Sequence, residues 1–460
     1  MVFAVLVAGC GGTARHAAPP AHPAAAPKIV RHSPTLRPAK LVVTVVDGDS
    51  GRRVRGATVR LWRRAARTNR RGVAVVRVPN RESMYVTVGA PGFGVRSLFE
   101  PFAQSRLVTV RIYRPELQWP MYGATPTRTQ AQANIHLRPP FRTMWYVPLG
   151  GLVEFPAVVD DGVAYVGNRS GTVYAISMRQ GRVLWRHRTN ATMASSLAVD
   201  GNALVHHSMG GRVSLLDRAN GSVLWSYDVG SPIESSPIVD RGVDYFGTWD
   251  GRVLALDLRT HRVLWTRELG AKITASASIA GGRLFIGDYG GRIWALSPAT
   301  GATRWVGSVN GRVYGTAAVA GGRVFVPSST GDSLTAFSTS GRYLWSVGTG
   351  SYVYSSPAVW GGRVFFGAYN GVFYAVSAAT GGVQWEVGTG GPISGAAVVV
   401  DGIAYAGSFS GRIVGVATST GHVVLNFRHG HYVPVSGDGM RLLFHAYAGL
   451  YAVEPLRAVR

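Results

Sequence analysis

The forty residues 270–309 read GAKITASASIAGGRLFIGDYGGRIWALSPATGATRWVGSV. Short runs rich in β-branched and aromatic residues alternate with Gly-Gly and Thr-Gly turn signals, which is the pattern of consecutive β-hairpins. We predict four strands here, at 273–279, 283–286, 292–296 and around Trp305. This stretch therefore encodes one small antiparallel sheet.

The same pattern recurs along most of the chain at a constant spacing. One tryptophan marks each repeat, and successive tryptophans are forty residues apart. The series is Trp145, Trp185, Trp225, Trp265, Trp305, Trp345 and Trp385, followed by Leu425 at the next position. Repeats of this length with strand-like content are typical of β-propellers, in which each repeat forms one four-stranded blade. The sequence thus predicts an all-β propeller.

The two ends of the repeat array complement each other. After Leu425 three further strands are predicted, at 432–436, 442–445 and 450–453, and a fourth is lacking. Upstream, residues 144–147 form a strand that carries Trp145 without three strands before it. Pairing the two ends completes one more blade and removes an exposed sheet edge. We therefore predict an eight-bladed propeller over residues 141–460, closed by N- and C-terminal strands.

Spacing around the tryptophans resembles the docking motif of propeller repeats of the pyrroloquinoline-quinone (PQQ) type. The matching segments are Ala175-x5-Gly181-x3-Trp185, Ala295-x5-Gly301-x3-Trp305 and Ala375-x5-Gly381-x3-Trp385. Other repeats depart from it, with Leu215 in place of Ala and His261 in place of Gly. The resemblance implies the propeller fold, in an architecture similar to that of BamB-like lipoproteins. It also implies that each tryptophan packs against the small Ala and Gly of a neighbouring sheet.

The resemblance raises the question of a quinone cofactor. Quinoprotein alcohol dehydrogenases resembling this fold use a calcium ion with carboxylate and amide ligands, a catalytic Asp and often an adjacent Cys pair. This chain has a single cysteine, Cys10, and its predicted inner strands carry only the acidic residues Glu154 and Glu234. Both are expected at the mouth of the central channel. We expect no catalytic residue, no metal site and no cofactor; PQQ with calcium belongs to an alternative hypothesis.

Large side chains recur at the turn tips of one predicted face. In a four-stranded blade the second-to-third and fourth-to-first connections lie on the same face of the ring. The residues concerned are Arg169, Met209, Trp249, Tyr289, Tyr369, Phe409 and Tyr447 in the first set, and Tyr314, Tyr352 and Tyr354 in the second. Exposed aromatic clusters mark interaction surfaces. We interpret this face as a candidate binding surface, with packing over the blades beneath as the alternative.

The first ten residues, MVFAVLVAGC, form an apolar run that ends at Cys10. Val7-Ala8-Gly9-Cys10 resembles a bacterial lipobox, which implies cleavage before Cys10 and acylation of that residue. The run is too short to span a bilayer. We predict a lipoprotein signal peptide at 1–10, with a truncated ordinary secretory signal as the alternative. Residues 11–39, rich in Ala, Pro and His, are predicted to form a disordered tether.

Residues 40–113 contain at least five short β-rich runs separated by turn signals, which predict a small β-sandwich. This segment resembles a carboxypeptidase-regulatory-like, prealbumin-type domain. The matching positions include Val45-Val46-Asp47, Gly51, Gly56-Ala57, Thr68, Gly72, Tyr85 and Pro91-Gly92-Phe93. The resemblance implies a spacer or adhesion module without an active site. Residues 114–140, which are punctuated by prolines, are predicted to connect this domain to the propeller.

Positive charge is concentrated before the propeller. Residues 1–144 contain 23 basic and 5 acidic side chains, and nine arginines lie between positions 52 and 71. Such a segment would attract an anionic lipid or polymer surface, whereas charge on a sheet edge also protects against aggregation. Both interpretations stay open. No nucleic-acid recognition motif is present, so we expect no specific nucleic-acid partner.

These features favour a non-catalytic, membrane-anchored extracytoplasmic protein that binds a partner or serves as a scaffold. The partner would be another protein or an anionic polymer of the cell envelope, and the chain itself is expected to be a monomer. The alternatives are a PQQ-dependent oxidoreductase and a sensor or adhesin for envelope polymers. The predicted location is the cell membrane, or an outer membrane where one exists.

Overall fold

The computed structural model describes residues 39–78, 84–100, 107–431 and 433–456. The predicted signal peptide, Cys10 and nearly all of the predicted tether lie outside the described residues. Within the described ranges the chain is β-structure throughout, apart from a short 3-10 turn at Pro115–Leu117. No helix in this part of the chain is long and apolar enough to cross a membrane.

Residues 39–112 form two sheets that pack face to face. The three-stranded sheet has the order β4 (Val73–Val78), β1 (Ala39–Asp47) and β7 (Leu107–Ile112), with β1 and β7 parallel. The four-stranded sheet has the order β3 (Arg64–Arg67), β2 (Thr58–Leu61), β5 (Met84–Gly89) and β6 (Arg96–Glu100). Alternate valines of both sheets are fully buried in one shared hydrophobic core.

Residues 141–455 form eight further sheets, which we number in the chain order of their first strands. Sheet 1 contains β10–β13, at Val158–Asp160, Val163–Gly167, Thr172–Ser177 and Val183–Arg188. Sheet 2 contains β14–β17, at Ala198–Asp200, Ala203–His207, Arg212–Asp217 and Val223–Asp228. Sheet 3 contains β18–β21, at Ile238–Asp240, Val243–Gly247, Arg252–Asp257 and Arg262–Glu268. Sheet 4 contains β22–β25, at Ser278–Ala280, Arg283–Gly287, Arg292–Leu296 and Thr303–Ser308.

The next three sheets repeat this four-stranded meander. Sheet 5 contains β26–β29, at Ala318–Ala320, Arg323–Ser328, Ser333–Ser338 and Tyr343–Gly348. Sheet 6 contains β30–β33, at Ala358–Trp360, Arg363–Gly367, Val372–Ser377 and Val383–Gly388. Sheet 7 contains β34–β37, at Val398–Val400, Ile403–Ser408, Arg412–Ala417 and Val423–Arg428, and gains a fifth strand, β8 (Ala131–Gln132).

Sheet 8 joins the two ends of the array. It contains β38 (Val435–Gly437), β39 (Leu442–Ala446), β40 (Gly449–Pro455) and β9 (Phe141–Pro148). β9 pairs antiparallel with β40 and places Trp145 opposite Ala452. Sheet 8 also contacts sheet 1, because Ala157 N donates to His445 Nε2 at 3.0 Å and Trp145 Nε1 donates to Met178 O at 2.9 Å. The sheets therefore form a closed propeller ring.

The innermost strand of sheet 4 is shorter than the sequence predicts. The strand expected at 273–279 begins only at Ser278. Residues before it have their N–H groups directed toward the next sheet: Ser236 N donates to Ser276 Oγ at 2.8 Å, and Ser276 N donates to Thr316 Oγ1 at 3.1 Å. Buried N–H groups need a hydrogen-bond acceptor, and near the centre side-chain hydroxyls take the place of the strand carbonyls that would otherwise accept. This row of hydroxyls runs from Ser196 to Ser356, across sheets 2 to 6.

The repeated tryptophans join neighbouring sheets. Trp265 Nε1 donates to Pro298 O of sheet 4 at 2.8 Å, and its ring covers Gly301, where an added Cβ would lie 2.6 Å from Cε3. The same pairing recurs for Trp145 with Gly181, Trp185 with Gly221, Trp305 with Gly341, Trp345 with Gly381 and Trp385 with Gly421. The alanine was placed wrongly in our prediction: Ala255 is the cross-strand partner of Trp265 within the same sheet. His261, which replaces the glycine, stacks on Trp225 with ring centroids 4.5 Å apart.

The segment predicted as a connector lies across one end of the central channel. Its backbone bonds successively to inner strands: Trp119 pairs with Val159, and the carbonyls of Pro120, Pro126, Thr127, Thr129 and Gln130 accept from Val199, Ile279, Val319, Val359 and Val399. Arg128 is 1 % exposed and donates to the carbonyls of Ala277 and Pro237, at 3.0 and 2.8 Å, and to Tyr122 O. Burial lowers the pKa of Arg128 to about 10, so it stays charged at neutral pH. The segment forms the channel floor.

The β-sandwich sits on the same side as this floor. Tyr113 packs against Gly48 of the sandwich and Gly162 of sheet 1, and Asp49 lies against Gly439 of sheet 8. Asp49 accepts hydrogen bonds from Arg114 N at 2.9 Å and Gln118 Nε2 at 3.1 Å. The sandwich therefore lies at the end of the ring that carries the turns between first and second strands, and it contacts those of sheets 1 and 8. The opposite face of the ring is left open.

Substitution of Gly301 tests the tryptophan contact. Gly301 has φ +69° and is covered by Trp265, whereas Gly281 has φ +54° and nothing within 4 Å of an added Cβ. Gly281→Ala should cost about 1 kcal/mol from backbone conformation alone. Gly301→Ala should cost roughly 1–3 kcal/mol more, because the methyl group displaces the indole. Thermal unfolding of both variants measures the difference; equal destabilisation would contradict the packing role.

Asp49 gives the junction of sandwich and ring a defined pH dependence. Burial raises the pKa of Asp49 from 3.8 to about 7. The folded state therefore binds more protons than the unfolded state between about pH 4 and 7, so stability falls as pH rises through that range. Asp49→Asn should flatten this part of the stability profile. Asp228→Asn, at a largely exposed aspartate, is the matched control and should keep the wild-type slope in thermal melts from pH 4 to 8.

Candidate functional site

The face opposite the floor is built from a repeated backbone pattern. The N–H of the predicted turn residue donates to a carbonyl seventeen residues earlier, in the connection from the preceding sheet. Examples are Met209 to Thr192, Tyr289 to Lys272 and Tyr369 to Tyr352, each at 2.9 Å. Because both connections emerge at this end of every sheet, the predicted face residues share one surface around the channel mouth.

Aromatic rings from sheets 5 to 8 form a continuous cluster on this face. Tyr354 contacts Tyr314, Tyr352 and Tyr369, with ring centroids 5.5, 5.9 and 5.7 Å apart. Tyr369 contacts Phe409 at 5.8 Å, Phe409 contacts His431 at 5.6 Å, and His431 contacts Tyr447 at 5.1 Å. Edge-to-face geometry predominates, as is favourable for aromatic pairs. We call these residues the aromatic arc: Tyr314, Tyr352, Tyr354, Tyr369, Phe409, His431 and Tyr447.

The other half of the face carries charge. Glu154 accepts from Arg169 Nη1 at 2.7 Å. Glu234 accepts from Trp249 Nε1 at 3.0 Å and from Tyr314 Oη at 2.8 Å. The Glu234–Tyr314 bond links the connections that lead into sheets 3 and 5, and it ties the charged half to the aromatic arc.

Two cations at the rim lie over aromatic rings. Lys272 Nζ is 3.3 Å from the ring centroid of Trp249 and 5.1 Å from that of Tyr289, and Arg312 lies 5.6 Å from Tyr289. Both cations are held by cation–π attraction, which strengthens as water is excluded. The two halves of the face therefore differ in chemistry, one cationic and acidic, the other aromatic.

Burial raises the pKa of two groups at the mouth, the Glu154 carboxyl and the Tyr314 phenol. Desolvation raises the pKa of Glu154, an effect that Arg169 opposes. Desolvation and the neighbouring Glu234 carboxylate raise the pKa of Tyr314, whose phenol therefore remains a hydrogen-bond donor at any physiological pH. Tyr314 can therefore donate to Glu234, which is only 8 % exposed.

A cavity of about 430 Å³ opens between these groups. Tyr354, Tyr369 and Phe409 form its aromatic wall, Glu154 and Glu234 its acidic wall, and Tyr122 and Gln130 of the floor segment its base. Tyr122 Oη donates to Ser356 Oγ at 2.9 Å and fixes the base to sheet 6. Because the floor closes the other end, the channel is a cup with one mouth. Its volume falls in the usual range for small-ligand sites.

The sequence predicted some of the residues at the mouth and missed others. Glu154, Glu234, Trp249, Tyr289 and the predicted members of the aromatic arc come together around the mouth. Met209 makes the same backbone hydrogen bond as the other turn residues, but it is not part of the aromatic arc. Sequence reasoning missed Lys272, Arg312 and His431, together with Tyr122 at the base. Lys272 and Arg312 lie 80 and 40 residues before Tyr352, at the equivalent position of earlier repeats, so the forty-residue period could have predicted that they lie on this face.

No site for a metal ion was found among the described residues. They contain no group of three or more His, Cys, Asp and Glu side chains placed to hold an ion. His207 is buried and hydrogen-bonded to Asp244 Oδ2 at 2.8 Å and to Ser235 O at 2.7 Å. Burial lowers the pKa of His445 to about 4, and its Nε2 accepts from Ala157 N. These histidines serve the interior of the ring.

A family comparison identifies the repeat. The family described as outer membrane protein assembly factor BamB matches residues 116–280, 249–351 and 291–427. The chain belongs to this family. The matches begin in the floor segment and span most of the ring, and they leave out the β-sandwich. A search of curated protein sequences found no match.

Solved structures share the propeller fold with this BamB-family chain at low identity. BamB from Moraxella catarrhalis aligns with a TM-score of 0.59 and 18 % identity, over 68 % of this chain and 99 % of its own. Quinohemoprotein alcohol dehydrogenase from Comamonas testosteroni aligns with a TM-score of 0.65 and 13 % identity, over 75 % of this chain and 82 % of its own. The computationally designed Ika8 protein aligns with a TM-score of 0.59 and 18 % identity, over 67 % of this chain and 98 % of its own. An assembly factor, an oxidoreductase and a designed chain share this fold, so function has to be argued from the site.

Proposed function

We propose that this chain is a non-catalytic extracytoplasmic scaffold whose open propeller face binds a protein partner. The observation that carries the proposal is the aromatic arc. Tyr352, Tyr369, Phe409 and Tyr447 are 47, 40, 38 and 59 % exposed and lie on one surface. Exposed aromatic rings of this density are typical of protein-binding surfaces, where Tyr and Phe provide large contact areas at low entropic cost.

The geometry of the face suits a partner that inserts a side chain into the cup. The rings of the aromatic arc already contact one another, so little side-chain freedom remains to be lost on binding. Beside them, Glu234 and the rim cations Lys272 and Arg312 supply polar groups that would set orientation. An anionic polymer of the envelope is the alternative partner, and it would engage the rim cations rather than the tyrosines. We expect the chain itself to be a monomer without a specific nucleic-acid partner.

The quinoprotein alternative is weaker on the chemistry of the cup. PQQ carries three carboxylates, so a site for it requires cationic side chains and a calcium ion held by carboxylates. The described residues that line the cup include Glu154 and Glu234 but neither lysine nor arginine. Both glutamates are already engaged, by Arg169 and by Trp249 with Tyr314. A trianionic ligand would meet no cationic side chain among the residues that line the cup, and its burial would be costly. The residues present do not fit this cofactor.

The proposed location and architecture follow from the family together with the N-terminal sequence. Membership of the BamB family is in keeping with a place in the cell envelope, and the lipobox-like Val7–Cys10 supports a lipid anchor on the cell membrane or an outer membrane. We also propose that sheets 1 to 8 are the blades of an eight-bladed propeller. The preceding sheets would then form a prealbumin-like module.

A photo-crosslinking experiment tests the binding face. A photoreactive phenylalanine analogue at Tyr369 should give discrete adducts in intact cells, whereas the same group at Leu224, on the outer edge of the ring, should give none. The triple variant Tyr352→Ser, Tyr369→Ser and Tyr447→Ser should abolish capture of the crosslinked partner. The variant should stay folded and lose about 1–3 kcal/mol of stability, because the three side chains are 47, 40 and 59 % exposed and lose only ring contacts at the surface.

A matched variant separates specific binding from general stickiness. Leu184→Ser, Leu224→Ser and Leu264→Ser remove exposed apolar side chains of the outer strands, which are 41, 55 and 52 % exposed. This variant should capture the partner as the unaltered chain does. Equal loss of capture in both triple variants, or unfolding of the tyrosine variant, would contradict a binding role for the aromatic arc.

Reconstitution tests the enzymatic alternative directly. Purified protein mixed with PQQ and calcium should show no dye-linked oxidation of alcohols or sugars, because the cup offers no cationic partner for the quinone carboxylates. Binding is followed in parallel by equilibrium dialysis of PQQ. Stoichiometric retention of PQQ together with turnover would replace the scaffold proposal by the oxidoreductase.

A further inference from the structure

The β-sandwich has one end on the ring and one end free. The C-terminal ends of β1 and β7 lead into Asp49 and Tyr113, which contact sheets 8 and 1. The N-terminus of β1 and the β2–β3 turn lie at the other end. Arg64 Nη1 donates to Arg77 O at 2.9 Å, and Arg77 pairs with Lys40 near the start of β1. The β2–β3 turn is therefore distal to the propeller.

Three large aromatic side chains are exposed at this distal end. Trp62, Tyr85 and Phe99 are 56, 64 and 57 % exposed. Tyr85 and Phe99 are opposite each other on β5 and β6, with ring centroids 5.3 Å apart. β2 and β5 are antiparallel with Arg60 opposite Thr87, so β2 ends beside the start of β5. Trp62 therefore lies at the same end of the sheet as the Tyr85–Phe99 pair.

The backbone at Trp62 is itself unusual. Trp62 has φ +49°, a conformation that bulky L-residues rarely adopt. The two-residue turn between Leu61 and Arg64 would accept glycine without strain, and yet a tryptophan occupies it. The consequence is an indole that projects from the tip of a hairpin. Such strain is found where a side chain is held for a function.

Arginines surround the aromatic tip. All nine arginines between positions 52 and 71 are exposed, and within the described ranges none of them forms an ion pair. Four belong to the β2–β3 hairpin: Arg60, Arg63, Arg64 and Arg67. Exposed arginines beside exposed aromatic rings combine phosphate recognition with an interfacial anchor, since Trp and Tyr favour the boundary between lipid headgroups and acyl chains.

We propose that the distal end of the sandwich docks on an anionic lipid bilayer. Trp62, Tyr85 and Phe99 enter the headgroup region, and the hairpin arginines bind lipid phosphates. A soluble polyanion would engage the arginines but would leave the phenyl and indole rings in water. Ala39, the first described residue, also lies at this end, so the predicted lipid anchor and this surface would meet the same bilayer. The propeller face would then point away from it.

Vesicle binding tests the proposal on the full chain carrying Cys10→Ala, so that no acyl group contributes. Vesicles of phosphatidylcholine with 30 % phosphatidylglycerol, a proportion of about one anionic lipid in three, should bind the chain, and rising salt should weaken binding. Arg60→Gln, Arg63→Gln, Arg64→Gln and Arg67→Gln together should lower the partition coefficient about tenfold or more. Trp62→Ala should lower it about fivefold.

Controls distinguish a bilayer from other partners. Arg182→Gln, Arg186→Gln, Arg188→Gln and Arg304→Gln remove four exposed arginines of the ring and should leave binding unchanged. Dextran sulfate serves as the soluble polyanion: its affinity should fall with the hairpin arginines but not with Trp62→Ala. Unaltered vesicle binding by Trp62→Ala would overturn membrane insertion in favour of a polymer site. Equal loss in both arginine variants would show that only net charge matters, which would also overturn the proposal.

Discussion

The close approach of each outer-strand tryptophan to the next sheet is the constraint on which the ring depends. At Gly301 the backbone has a positive φ and the ring of Trp265 lies where a side chain would otherwise stand. The contact joins sheets rather than strands, so it sets the angle at which one sheet follows another. His261 shows what the constraint requires: its flat ring stacks on Trp225 with an interplanar angle of 9°. A surface that an indole can cover is needed, and glycine is the usual way to provide it.

The turn tips of the open face are not needed to hold the ring together. The tryptophans and the central hydroxyls hold the ring together from its outer edge and its centre, and neither set reaches the open face. The floor segment closes the opposite end through Arg128, whose guanidinium group donates hydrogen bonds to backbone carbonyls of the inner strands. As a result the molecule presents one accessible mouth. The aromatic and charged residues of that mouth lie in turns and connections rather than in the strands that pair, so they can vary independently of the fold.

Local repetition explains what could be predicted from the sequence. The tryptophan spacing and the paired turn residues recur every forty residues, and the face register of Tyr289 and Tyr369 follows from the same period. The path of the floor segment could not be predicted, because Arg128 meets carbonyls 109 and 149 residues away and has no counterpart in any repeat. The exposure of Trp62 was equally hidden, since its residue type suits a strand as well as a turn.

The pairing of β9 with β40 also determines when the ring can close during synthesis and folding. Arg142 and Glu454, which meet across this pair, are 312 residues apart in the chain. Among the strands of sheets 1 to 8, β9 is made early and β40 is made last, so the edge of β9 stays without its partner until the seven sheets between them have been synthesised. Unpaired strand edges invite aggregation, and distant pairing slows folding. Ring closure is therefore a late step, and the chain must be kept from its neighbours until its final residues arrive.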